Sequence, residues 1–215
     1  MDGKTIILSS LLIIRQLLWP SSIWASVPLP QTPITGVIPD GILTEWSADS
    51  FRPFSDAQSS QTPRWAAVYD DSFLHLAIEV TDDTLEFNDF TSPTFLGNDA
   101  IRLYLGQDGK ECALIITYQQ QLGRTFVVSD FFSEYETDTD PRWCIAAIRE
   151  TIQGYTCELS IARWRIPGLE PGQTFKLQLV VLDFAENILR QVHTLNGEPT
   201  KWLVEKHFFL FSLPS

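Results

Sequence analysis

The feature that most constrains this chain is a two-residue alternation of apolar and polar side chains, repeated in several short runs. In residues 72–80, Leu74, Leu76, Ile78 and Val80 share one face, while Phe73, His75, Ala77 and Glu79 share the other. Tyr155, Cys157, Leu159 and Ile161 alternate with Thr156, Glu158 and Ser160. Ile101, Leu103 and Leu105 alternate with Arg102 and Tyr104. A period of two is the signature of a strand that buries one face, because successive side chains leave opposite sides of a sheet. Residues 175–183 begin in the same way and then turn uniformly apolar over 179–182, which predicts a central strand covered on both faces.

Turn chemistry separates the runs. Asp70-Asp71, Gln107-Asp108-Gly109, Leu122-Gly123 and Gln153-Gly154 stand where a hairpin needs an Asx turn or a left-handed residue. Pro167-Gly168 and Pro171-Gly172 bracket a short crossing, and the one helical signal is a turn around residues 162–166. Many short strands with no long amphipathic helix predict an all-β, antiparallel β-sandwich of immunoglobulin or jelly-roll type. The aromatic content, with seven Trp and fourteen Phe, suits such a pleated, half-buried surface.

The N-terminus reads as a targeting segment. Lys4 precedes an apolar run over residues 5–14, and a second run over 17–24 leads to the small residue Ala25. This pattern predicts a signal peptide over 1–25 and a secreted or periplasmic location. Arg15 and Pro20 interrupt the apolar stretch, so it makes a poor membrane span, and membrane attachment is expected only if the segment stays uncleaved. Pro28, Pro30 and Pro33 mark 26–35 as an extended linker, leaving 36–215 as one folded domain. The formal charge of −12, with no basic block, argues against nucleic acid as a partner.

Candidate chemistry is sparse. There is no GxSxG, HExxH or glycine-rich phosphate loop, so no enzyme is expected. Cys112, Cys144 and Cys157 read as buried thiols, and a bridge between Cys144 and Cys157 is not expected, because the turn at Gln153-Gly154 sets them apart along neighbouring strands. His75, His193 and His207 are too scattered for a metal motif. Asp82 and Asp83, with Glu79 and Asp89 near in sequence, could gather around calcium, which takes six to eight oxygens. The acids over 134–140 read as an exposed loop. Trp46, Trp143 and Trp164 are expected in the core.

Five segments in order resemble the family 9-like carbohydrate-binding modules, within a wider DOMON-like group of sandwiches that includes haem-binding domains. They are Asp40-Gly41-Ile42 with Glu45-Trp46, then WAAVYDDSFLHLAIEVTDD at 65–83, and GNDAIRLYLG at 97–106. GYTCELSIARWRIPGLEPGQTFKLQLVVLD follows at 154–183, and Trp202 with Phe208 closes the series. The resemblance implies a sugar site in which two aromatic rings clamp a terminal sugar. Trp202 matches the second clamp, and the first falls at Leu96, with Phe95 beside it. Asp99 matches the acid that opens its strand, and Arg102 stands where the sugar binders present a carboxylate, with Tyr104 beyond it. Some members also carry calcium as a structural ion.

The resulting expectation is an exported, non-catalytic domain that binds a poly- or oligosaccharide, with no cofactor other than calcium at Asp82 and Asp83. A pyranose offers an apolar C–H face to an aromatic plane, while its hydroxyls need directed polar groups. Two alternatives stay open: a structural or protein-interaction sandwich that has lost the sugar site, and a haem-binding redox domain. Haem normally needs two axial ligands, and Met1, the only methionine, lies in the signal segment.

Overall fold

The computed structural model describes residues 27–28, 37–54, 63–87, 98–106, 112–129, 143–165, 173–195 and 209–212, with residues 27, 28, 112, 129 and 209–212 described by backbone alone. Their strands are β1 (Val27–Pro28), β2 (Arg52–Pro53), β3 (Arg64–Tyr69), β4 (Phe73–Thr81), β5 (Ala100–Gly106) and β6 (Cys112–Gln119). The series continues with β7 (Arg124–Ser129), β8 (Cys144–Thr151), β9 (Gly154–Ala162), β10 (Thr174–Ala185), β11 (Ile188–Thr194) and β12 (Phe209–Ser212). One sheet runs β1-β12-β10-β5-β6-β7, with β11 also pairing β10, and the other runs β2-β3-β4-β9-β8. All ladders are antiparallel except the two-residue pairing of β1 with β12. The antiparallel β-sandwich expected from the alternation is therefore the observed architecture. No helix among the described residues is long and apolar enough to cross a membrane.

The alternating sets meet between the sheets. Leu74, Leu76, Ile78 and Val80 of β4 and Tyr155, Cys157, Leu159 and Ile161 of β9 face Ile101, Leu103 and Leu105 of β5. Phe175, Leu177, Leu179 and Val181 of β10 complete that layer. The outward sets are covered as well. On the seven-stranded sheet, Tyr104, Ala113, Val180 and Leu182 form a second apolar cluster. On the five-stranded sheet, Trp46 and Val37 pack on Ala66 and Ala77, whose small side chains leave room for the indole.

A buried carboxylate holds that cover in place. Glu158, outward on β9, accepts hydrogen bonds from the backbone N–H of Asp40 at 3.0 Å and of Gly41 at 2.8 Å. Its other oxygen accepts the Trp46 indole N–H at 2.8 Å. Thr156, two residues before it, donates to the Gly41 carbonyl at 2.7 Å. Gly41 lies at φ 77°, where a Cβ would come within 2.8 Å of the Arg149 Cβ. The Asp-Gly…Trp opening and the glutamate of β9 thus form one structural fastener.

Several turns follow their sequence signals. Asp70 Oδ1 accepts from the N–H of Ser72 and of Phe73, both at 2.7 Å, in an Asx turn. Gly123 is left-handed, and Gly154 opens β9 at φ 144°, where any side chain would collide with the Val80 carbonyl. Two features depart from the sequence reading. Val27–Pro28, within the stretch read as a linker, pairs with Phe211–Ser212. The β10–β11 hairpin turns on Glu186 and Asn187, both at positive φ without a glycine, and went unpredicted. Cys144 and Cys157 are buried and not joined to each other, with Cys144 opposite Ile161 and Cys157 opposite Ile148. Cys112 has its side chain outside the described residues, and residues 1–25 lie outside them altogether.

Replacing Trp46 by Phe removes one of the three donors to Glu158 and leaves a buried carboxylate oxygen unpaired. The expected loss is about 1–3 kcal/mol in urea unfolding, and a loss below about 0.5 kcal/mol contradicts the fastening role.

Candidate functional site

One end of the sandwich gathers three acids from separate strands. The backbone N–H of Asp82, just after β4, donates to the Gln153 carbonyl at 2.9 Å, which ties it to the β8–β9 turn. Asp99 immediately precedes β5, and Asp183 sits at the register shift that interrupts the β10–β11 ladder. Each of the three offers an oxygen within 4.8 Å of the other two. Bulges recur where a strand re-aims a side chain, and the irregularity at Asp183 and Phe184 brings both residues to bear on Asp99.

Hydrogen bonds fix Asp99 closely. Its Oδ1 accepts the N–H of Phe184 at 2.8 Å, and its Oδ2 accepts the N–H of Glu86 at 2.7 Å. The N–H of Asp99 returns a bond to the Glu86 carbonyl at 2.8 Å. The Glu86 carboxylate in turn accepts from the N–H of Glu186 and from that of Asn187, the latter at 2.9 Å. This contact explains how a glycine-free turn holds two left-handed residues, since the exposed donors of the turn meet a carboxylate.

The electrostatics of the trio are unfavourable as they stand. Burial pushes the Asp99 carboxyl up to about 7, with the charges of Asp82 and Asp183 adding to the effect and the N–H groups of Phe184 and Glu86 opposing it. Burial likewise raises Asp82 and Asp183 above the ordinary carboxylate range. Two like charges about 4.8 Å apart repel by roughly 3 kcal/mol at an effective dielectric of about 20. Asp82 Oδ2 and Asp183 Oδ1 are buried with no hydrogen-bond partner, and so is the Tyr155 hydroxyl. Tyr155 is fully buried in contact with Phe87, at 5.2 Å between ring centroids, and feels the charges of all three acids.

The structure sorts the sequence-predicted residues. Asp99 is a buried brace between strands, and Asp82 is its close neighbour. Asp83 stands apart from the trio, exposed and 3.3 Å from Arg190. Arg102 and Tyr104 do share the outward face of β5, but both are buried, with Gln178 directly opposite Tyr104 on β10. Trp202, Phe95 and Leu96, the aromatic part of the expected sugar site, lie outside the described residues. Sequence reasoning missed Asp183, because nothing local distinguishes it from the aspartate ending an ordinary strand.

The opposite end of the five-stranded sheet holds a row of Asp70, His75 and Ser160. His75 Nε2 lies 3.0 Å from Asp70 Oδ2, and Nδ1 lies 2.8 Å from Ser160 Oγ. The order matches a hydrolytic triad, yet His75 and Ser160 are both buried, so the hydroxyl does not face a substrate. The row serves as packing polarity, and both nitrogens of His75 are engaged rather than offered to a haem iron. Trp46 and Trp143 are buried as expected, but Trp164, also read as core, is 78% exposed. Its neighbours Arg163 and Arg165 stack on Tyr69 and Trp143, which fixes the short turn and directs the indole outward.

Replacing Glu86 by Ala removes the acceptor of the 186–187 turn while leaving its backbone bonds to Asp99. A loss of about 1–2 kcal/mol is expected, read by denaturant unfolding, with faster amide exchange confined to the β10–β11 hairpin. Unchanged exchange there contradicts the role given to Glu86.

No protein-family model and no curated protein matches the chain. Solved structures do match. A family 9 carbohydrate-binding module from Caldicellulosiruptor kristjanssonii, in complex with cellotriose, is similar over 89% of this chain and 94% of its own, at 14% identity and a TM-score of 0.63. The structure of such a module from that organism with glucose is similar over 89% and 96%, again at 14% identity and TM-score 0.63. A candidate carbohydrate-binding protein from Bacteroides uniformis is similar over 87% and 98%, at 10% identity and TM-score 0.62. The chain therefore has the β-sandwich fold of the family 9 carbohydrate-binding modules.

Proposed function

We propose that this chain is an exported, non-catalytic domain that binds a poly- or oligosaccharide by stacking sugar rings on aromatic side chains. The observation that carries the reading is the likeness of its sandwich, over 89% of the chain, to modules solved with cellotriose and with glucose. The strand order supports it. Strands β5 and β12 both pair antiparallel with β10, so they run in the same direction. The chain thus enters both from the same end of the sheet, and the residues just before them in sequence include Phe95 and Leu96 in one case and Trp202 in the other. Asp99 stands just before β5 and Arg102 and Tyr104 lie on it, and we assign these three the polar part of the site. An aromatic plane supplies contact area, and the polar groups around it set orientation.

A second reading rests on Trp164. An exposed indole on a braced turn, with the exposed Ile145 on the adjoining β8, suits a protein-interaction face on a sandwich without a sugar site.

Isothermal titration of the full chain with glucose and cellotriose separates the two. Binding is expected, with Trp202→Ala reducing affinity at least about tenfold and Trp164→Ala leaving it unchanged; ten-fold corresponds to about 1.4 kcal/mol. Loss of binding in Trp164→Ala alone would move the site to the turn after β9, on the five-stranded sheet. No binding by the unaltered chain to either sugar or to a broader glycan panel overturns the proposal in favour of the second reading.

A further inference from the structure

We propose that Trp164 is a second sugar-binding platform, which takes a stretch of a neutral polysaccharide chain and so favours polymers over short sugars. The inference rests on the carbohydrate-binding reading and extends it to the end of the sandwich away from the start of β5. Exposure comes first. Trp164 is 78% exposed, whereas Trp46, Trp65 and Trp143 are each at most 9% exposed. An exposed indole forgoes the burial a tryptophan usually gains, so something other than its own packing has to hold it in place.

The holding comes from both neighbours. Trp164 is the middle residue of a 3-10 turn, Arg163–Arg165, that directly follows β9. Arg163 stacks on Tyr69 and Arg165 on Trp143, each with its guanidinium carbon 5.6 Å from the ring centroid. The N–H of Arg163 donates to the Ser72 carbonyl at 2.9 Å, and its guanidinium donates to the Asp70 carbonyl at 2.6 Å. The turn is thereby tied to β3, to the β3–β4 turn and to the residue before β8. A platform fixed before its ligand arrives costs little ordering on binding.

Polar groups stand in the turn that Arg163 grips. Asp71 and Ser72 are both exposed there, one a carboxylate and the other a hydroxyl. A pyranose uses both kinds of surface, a flat ring for its C–H face and polar groups for its hydroxyls. Charge narrows the ligand class. A formal charge of −12, with Asp71 in the adjoining turn, repels an acidic polymer and leaves a neutral glycan.

Placement decides what the platform does. β9 opens opposite Thr81, beside the acids that gather at the start of β5. Trp164 follows the other end of β9, a strand of nine residues that spans about 30 Å. A trisaccharide is too short to reach both ends, and stacking on one ring is weak by itself. Glucose and cellotriose therefore report the first site alone. A polymer meets both, and the second contact then acts at a high effective concentration.

Two assays on the full chain separate this inference from the reading beneath it. Titration with glucose reports the first site, and adsorption to microcrystalline cellulose reports polymer binding. Trp164→Ala is expected to keep the parent's glucose affinity and urea midpoint while its affinity for cellulose falls at least about fivefold. Trp164→Phe, which keeps a flat ring, is expected to recover most of that loss. Equal cellulose adsorption, or none, by the parent and Trp164→Ala overturns the platform, and intact glucose binding then leaves the sugar reading standing. Glucose binding lost together with adsorption in Trp164→Ala would make Trp164 the main site and overturn its place as a second one. A parent chain that binds neither glucose nor cellulose overturns both.

Discussion

Buried carboxylates are the constraint on which the rest of this structure depends. Glu158 is sealed under the N-terminal segment, and Asp99 is sealed at the end of the sandwich. Each costs desolvation, which shows as a raised pKa in both. Glu158 is compensated by three N–H donors, and those donors are what draw residues 40–46 across the outer face of the five-stranded sheet. Asp99 is compensated by two, from Glu86 and Phe184, and these join the segment after β4 to the β10–β11 hairpin. The sandwich is closed by apolar packing, and its edges are located by acids.

The same principle separates the two ends of the molecule. At one end, Asp82 and Asp183 each keep a buried carboxylate oxygen without a hydrogen-bond partner, close to Asp99. At the other, His75 bonds both Asp70 and Ser160, and the second oxygen of Asp70 accepts the N–H groups of Ser72 and Phe73. A motif-level reading would rank them in reverse, since Ser-His-Asp is the more familiar constellation. Burial and hydrogen-bond accounting decide between them.

Much of the fold was legible in the sequence because strand alternation is local. Leu74 to Val80, Tyr155 to Ile161 and Ile101 to Leu105 all face the core as their spacing predicts. What alternation cannot show is whether the other face is covered, since that depends on segments far away in the chain. Thr156, Glu158 and Ser160 read as an outward set, yet all are buried, and the segment that covers Thr156 and Glu158, with Gly41 and Trp46, comes from over a hundred residues upstream. The glycine-free turn at Glu186–Asn187 was invisible for a like reason, its compensation lying in Glu86. Trp164 was misplaced because a tryptophan is usually buried, and only the stacking of its two arginine neighbours shows why this one is not. Of the candidate sites, Asp82 and Asp99 were singled out separately, but their union with Asp183 needed three-dimensional placement.

The most direct measurement of this account is urea unfolding of Glu158→Ala beside the parent chain. A loss of about 3 kcal/mol or more is predicted, because three N–H donors lose their common acceptor. A loss below about 0.5 kcal/mol, the range of an ordinary surface substitution, would contradict it.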